Sequence, residues 1–124
     1  MVTLVFVLRR RPELSEADFH RYWRDQHAPL VRKHADALGI RRYSQLHTAD
    51  TPFTEAIRAS RGCEPSDYDG VALVWFDSLD ALGAAASSPE GQAAGAALLE
   101  DERRFLDLER CLIWLTDDHP VVEA

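Results

Sequence analysis

The side chains best suited to moving protons are five histidines: His20, His27, His34, His47 and His119. An imidazole titrates near neutral pH, so it can act as general acid, general base or hydrogen-bonding scaffold. His20, His27 and His34 recur every seven residues, which on an unbroken helix places them near one stripe. Seven residues rise about 10 Å, too far for two of them to share a metal ion at bonds of about 2 Å. The sequence contains no HxxxH and no CxxC pair, so no metal site is expected. His27 lies beside Pro29 and close to the Trp23–Leu30 apolar stripe. One reading is a structural histidine that bonds a backbone carbonyl freed by the proline. The other is an acid or base in a pocket between helix and sheet.

His47 ends a polar strand face that it shares with Arg41, Tyr43 and Gln45. It reads either as a polar strand end or as a partner of Tyr43, together transferring a proton or polarising a carbonyl. Trp23, Tyr22, Phe6 and Trp75 supply aromatic surface. They form core, or a subset of them lines a pocket for a small, flat, mostly apolar or aromatic substrate. Asp69 reads as a turn former, Arg9–Arg11 as a solvated turn, and His20 and His34 as near-surface residues. No serine sits in a nucleophile elbow, and neither Cys63 nor Cys111 has an electropositive setting.

These residues must be positioned by a short series of elements. Residues 2–8, VTLVFVL, predict a first strand. Ser15 with Asp18 three residues on is a capping-box pattern. It opens a helix over 16–38 that Gly39 stops, with a kink or break near 26–29 because proline lacks the N–H and crowds the preceding turn. Residues 40–47 predict a second strand. An excursion over 48–69 holds a short helix opened by Thr51-Pro52 and ended by Gly62. Residues 71–76 give a third strand, and Ser78 or Asp77 caps a helix to about 86. Ser88-Pro89-Glu90 starts an Ala-rich helix to about 100, and residues 109–115 give the fourth strand. The order β-α-β-β-α-β is the α+β, ferredoxin-like pattern with an antiparallel sheet, in a single domain over 1–124.

Three of the four strands are apolar on both faces. An antiparallel sheet with helices on one side normally shows a polar open face, and monomers avoid large exposed apolar patches. A second copy covering that face, in a symmetric homodimer, is the economical expectation.

The 124 residues carry 14 Lys plus Arg against 21 Asp plus Glu, a net charge of −7. That balance argues against nucleic acid, which rewards a basic footprint, and against an anionic membrane surface. The first fifty residues carry a net +3 and the remainder −10, but the β-α-β-β-α-β order interleaves the two halves. Two cysteines make no disulfide framework. No stretch approaches the roughly 20 apolar residues of a membrane span, and the apolar start precedes its arginines rather than following them. A cytoplasmic location is the expectation.

Phe19-His20-Arg21-Tyr22-Trp23 and His27-Ala28-Pro29-Leu30 resemble the opening of EthD-domain proteins. Arg42-Tyr43-x-Gln45-x-His47 resembles their second strand, and Tyr68-Asp69-Gly70-Val71-Ala72 with Trp75-Phe76-Asp77-Ser78-Leu79 their third. Ser88-Pro89-Glu90-Gly91, Asp101-Glu102, Phe105-x-Asp107 and Thr116-x-x-His119 continue the likeness in order. The resemblance implies a dimeric α+β barrel. It also implies kinship with dehydratases of polyketide pigment pathways and with cofactor-free isomerases, cyclases and small oxygenases. Fold alone does not choose among these. The leading expectation is a cofactor-free lyase, isomerase or cyclase acting on a ketide-like or aromatic carbonyl compound, with His27 as acid/base and His47 and Tyr43 assisting. The alternatives are a cofactor-independent oxygenase or oxidoreductase, and a non-catalytic ligand-binding or accessory dimer.

Overall fold

The alternation of Val, Leu and Phe between two apolar faces suits residues packed inside a sheet, and the central strands carry it. In the computed structural model, which describes residues 1–123, β1 (Val2–Leu8) lies between β3 (Gly70–Phe76) and β4 (Leu112–Asp117). With β2 (Arg42–His47) at one edge, the order is β2-β3-β1-β4 and every pairing is antiparallel. This is the ferredoxin-like α+β sheet. Phe6 stands opposite Ala72 on one side and Ile113 on the other, so these residues share a face. The fourth strand starts later than residue 109. Leu108–Arg110 form a 3-10 turn, closed by the Cys111 N–H on the Leu108 carbonyl at 3.1 Å, and pairing begins at Leu112 opposite Val7. Cys111 itself is held by the Arg9 N–H, 3.3 Å from its Sγ.

The first helical segment is three pieces. α1 (Glu16–Tyr22) is capped by Ser15, whose Oγ accepts from the Asp18 N–H at 3.1 Å. Trp23–His27 make a π-helical turn, and α2 (Ala28–Leu38) follows. The Ala28 N–H reaches the Trp23 carbonyl, five residues back. The cause is Pro29, which can donate no hydrogen bond and displaces the turn before it. The consequence is alignment. Phe19, Trp23, His27 and Val31 are spaced by four, and in a regular helix each step would drift about 40° around the axis. The wide turn takes up that drift, and all four are buried, at 0%, 1%, 5% and 3% exposure. The expected break thus lies slightly upstream of 26–29 and changes the winding rather than stopping the helix. Gly39 ends α2 at φ 71°, the left-handed conformation that favours glycine.

α4 (Leu79–Ser87) is capped by the Ser78 side chain, and α5 (Pro89–Phe105) by that of Ser88. α5 runs five residues beyond its expected end near 100, carrying Asp101, Glu102 and Phe105 against the core. α3 (Phe53–Arg61), between β2 and β3, buries none of its residues. Phe6, Leu8, Ala72, Val74 and Ile113 face the cavity under the helices. The other sheet face presents Val5, Val7, Leu73, Trp75, Leu112 and Trp114. Trp114 is 48% exposed, and α3 borders this side at the Val7–Val71 end, where Thr54, Glu55 and Arg58 line a groove with those two residues. No helix among the described residues is long and apolar enough to cross a membrane.

Candidate active site

An apolar cavity of about 210 Å³ lies between the sheet and the helices. Phe6 and Ile113 line it from the sheet, Trp23 and Val31 from the helices. Three polar side chains share its wall: His27, Tyr43 and Glu102. Among the described residues, no arginine or lysine lines it. A dry cavity of about 150 Å³ accepts benzene, so this one suits a ligand of one or two rings.

His27 is brought inward by the π turn. Its Nδ1–H donates to Oδ2 of Asp101 at 2.7 Å, and the Tyr22 hydroxyl donates to Oδ1 of the same carboxylate at 2.6 Å. A carboxylate only accepts, so the His27 ring proton sits on Nδ1 and the lone pair on Nε2. Nε2 makes no hydrogen bond among the described residues. Burial holds the imidazole below its usual pKa, against the opposing pull of the Asp101 hydrogen bond and charge. The ring is therefore neutral near pH 7, with a basic nitrogen that has no partner among the described residues. The Trp23 carbonyl at the helix irregularity accepts both the Ala28 N–H and Gln45 Nε2, the latter at 2.9 Å, while His27 bonds Asp101 instead.

Glu102, one residue after the orienting carboxylate, turns into the cavity. Burial, reinforced by the Asp101 charge, raises its carboxyl to about 7. Burial likewise raises Tyr43, although Gln45 and the Trp23 side chain favour its ionised form.

The expected site residues divide by location. His27, Tyr43, Trp23 and Phe6 meet at the cavity. Tyr22 does not line it, because its hydroxyl is committed to Asp101. Trp75 lies on the opposite sheet face, since strand alternation turns Val74 and Phe76 inward, and Arg42 stacks over its ring at 4.6 Å. His47 stands behind Trp23, with ring centroids 4.2 Å apart. Gln45 links it to Tyr43: His47 Nε2 lies 2.8 Å from Gln45 Oε1, and Gln45 Nε2 lies 3.1 Å from the Tyr43 oxygen. His20, expected near the surface, is half-buried with its Nδ1 2.7 Å from that of His47. Asp69 does more than form a turn, for it is buried, accepts the Arg10 backbone N–H at 2.8 Å and pairs with the Arg10 guanidinium.

Asp101 and Glu102 have no expected role from sequence, yet a signal for them exists. Gly91, Ala94, Leu98, Asp101 and Phe105 repeat at helical spacing, and Glu102 lies one turn after Leu98. A carboxylate on an apolar stripe has to be bonded or neutral. Among the described residues, no three His, Cys, Asp or Glu side chains gather to hold a metal ion.

The family model described as EthD domain matches residues 11–109. Several solved structures share the fold. One is an EthD family protein from Bacillus halodurans, with TM-score 0.61 and 20% identity, covering 96% of this chain and 100% of that one. Another is SnoaB from Streptomyces nogalater, described as a cofactor-independent oxygenase, with TM-score 0.57 and 17% identity over 99% and 97% of the two chains. A dimeric ferredoxin-like protein of unknown function from a Jannaschia species has TM-score 0.55 and 18% identity over 94% and 98%.

Proposed function

Because the chain belongs to the EthD family, we propose that its cavity is an active site for cofactor-free acid–base chemistry on a small, uncharged aromatic or ketide-like carbonyl compound. The observation that carries this reading is His27, tied through Nδ1 to Asp101 and free at Nε2 beside an apolar cavity. Nε2 removes a proton next to the carbonyl, and the Tyr43 hydroxyl and the Glu102 carboxyl donate to the oxygen on which negative charge develops. Dehydration, cyclisation and isomerisation all begin with that step. The absence of lining cations favours neutral over anionic substrates.

Acetophenone in D2O is a test that needs no knowledge of the natural substrate. Proton NMR should show methyl-proton exchange faster with the protein than in buffer. His27→Ala with an unchanged circular dichroism spectrum should lose that acceleration. Acetophenone that binds without any acceleration, or a fully active His27→Ala, would overturn the reading.

A second reading rests on the same free base in an apolar site. His27 would deprotonate an electron-rich phenol, and the anion would react with oxygen. The fold likeness to SnoaB supports it only at the level of fold. Oxygen uptake dependent on a hydroquinone-type phenol separates the two. Ligand binding with no product in either assay would instead indicate an accessory binding protein. We further propose that two copies pair through the apolar sheet face opposite the cavity. Its exposed Trp114 and Leu112 support this reading, as does the fold shared with a dimeric ferredoxin-like protein.

A further inference from the structure

Four side chains form a hydrogen-bonded chain from the His20 side of α1 to the cavity, and its direction follows from one backbone group. The Trp23 carbonyl can only accept, so the nitrogen of the Gln45 amide must face it, at 2.9 Å. The second hydrogen of that nitrogen then points to the Tyr43 oxygen at 3.1 Å. Oε1 of Gln45 faces His47 and must accept, so the His47 proton is on Nε2, 2.8 Å away. With Nε2 protonated in the neutral ring, the His47 Nδ1 carries a lone pair. His20 Nδ1, 2.7 Å from it, is then the donor. Burial pushes His47 below its usual pKa, which keeps that lone pair available.

Every hydrogen bond in the series points the same way, from His20 to His47, to Gln45, to Tyr43. The Tyr43 oxygen receives the Gln45 hydrogen and lies close enough to the Trp23 side chain for both to favour its ionised form. It has no acceptor among the described residues, so its own hydrogen is left for the cavity it lines. Hydrogen bonds aligned in series polarise one another, so the last donor is stronger than the same hydroxyl would be without the chain.

We propose that His20, His47 and Gln45 are positioning residues that aim and strengthen Tyr43 as the donor to a ligand oxygen, with His20 at the head of the chain. This rests on the carbonyl-site reading above for its ligand class, but the direction of the chain does not depend on it.

Two measurements test the proposal. Long-range 1H–15N NMR of the free protein at neutral pH reads each ring's tautomer. His20 should carry its proton on Nδ1, the less common form, and His47 on Nε2. His20 protonated only on Nε2 would overturn the chain. The second measurement is the infrared carbonyl stretch of bound acetophenone. It should lie lowest in the wild type and rise toward its apolar-solvent value in Tyr43→Phe. It should rise part of the way in His47→Phe, which keeps the ring against Trp23, and in His20→Phe. His47→Gln, which restores a donor to Gln45, should bring it back. A stretch unchanged between wild type and both Phe variants at 20 and 47 would also overturn the chain. Failure of the wild type to bind acetophenone counts against the carbonyl-site reading alone, because the tautomers are read without ligand.

Discussion

The Nδ1–H of His27 donates to Oδ2 of Asp101 across 2.7 Å, joining the π turn to the last third of α5. Asp101→Asn tests what this bond does. The amide can still accept from Tyr22 through its oxygen, but it then offers an N–H to His27. The ring proton should move to Nε2, and the basic nitrogen would leave the cavity. Ketone proton exchange should fall by roughly 10²–10⁴, the usual worth of a positioned base. Long-range 1H–15N spectra should show the tautomer change in the same sample. Unchanged exchange with a changed tautomer would separate Asp101 from the chemistry.

Glu102 predicts an unusual pH dependence of stability. Its carboxyl lies at about 7 in the fold against 4.5 as the reference. Between those values the folded protein holds a proton that the unfolded chain has lost. The contribution is therefore complete below 4.5 and is lost as pH rises through about 7. Glu102→Gln removes this dependence. Urea denaturation at about pH 8 should show the variant more stable than wild type by on the order of 2–3 kcal/mol, while near pH 4 the two should agree. Parallel curves at both pH values would place Glu102 in water rather than in the cavity wall.

The strands and the three serine helix caps at Ser15, Ser78 and Ser88 were legible in the sequence, since alternation and capping chemistry are local. The π turn was half legible: Pro29 announced an irregularity, but a wide turn and a break look alike without the packing that keeps His27 and Val31 inward. The start of β4 was hidden because Cys111 is apolar like a strand residue yet serves as an acceptor for the Arg9 backbone. At the site, His27, Tyr43, Trp23 and Phe6 were legible from type and face. The His20–His47 pairing was not, because it joins residues 27 apart in the chain. Asp101 and Glu102 show the limit most clearly. Sequence places both near an apolar stripe, but only the fold shows that one carboxylate is bonded and the other is not.

His27 and Glu102 together predict a bell-shaped rate profile for ketone exchange. The base must be neutral, and burial places its pKa below the usual 6.5, so the acid limb should fall at a pH under that value. In the unfolded chain the imidazole takes up its proton at its ordinary pKa. Stability from neutral His27 is therefore complete above about 6.5 and is lost as pH drops toward the folded value. Loss of the Glu102 proton near pH 7 gives the alkaline limb. Glu102→Gln should abolish the alkaline limb and leave the acid limb in place. A profile that loses the acid limb instead would exchange the two assignments.

Gly70 sets how closely the Trp23 ring approaches the sheet. A Cβ at this position would lie 2.7 Å from the indole ring and 2.9 Å from the Leu46 carbonyl oxygen. Neither can move freely, since Trp23 is 1% exposed and stacked on His47, and Leu46 is paired in the ladder opposite Val71. Gly70→Ala should lower stability by about 1–3 kcal/mol, the usual cost of overpacking. It should also raise the carbonyl stretch of bound acetophenone, because the ring it displaces supports His47. Gly83→Ala, where nothing lies within 4 Å of the added carbon, is the control that should do neither.

The sheet face opposite the cavity carries the last prediction. Leu73 sits on β3 opposite Val5, with its side chain away from the cavity. If two copies close face to face, symmetry brings each central residue near its own counterpart. Leu73→Arg would then set two guanidinium groups into one apolar interface, where unpaired charge is strongly disfavoured. Light scattering should give the mass of two chains for the wild type and of one for the variant at micromolar concentration. The cavity lies on the other side of the sheet, so acetophenone should still bind the variant. A wild type that is already monomeric would remove the dimer from this protein while leaving the His27 chemistry to stand on its own test.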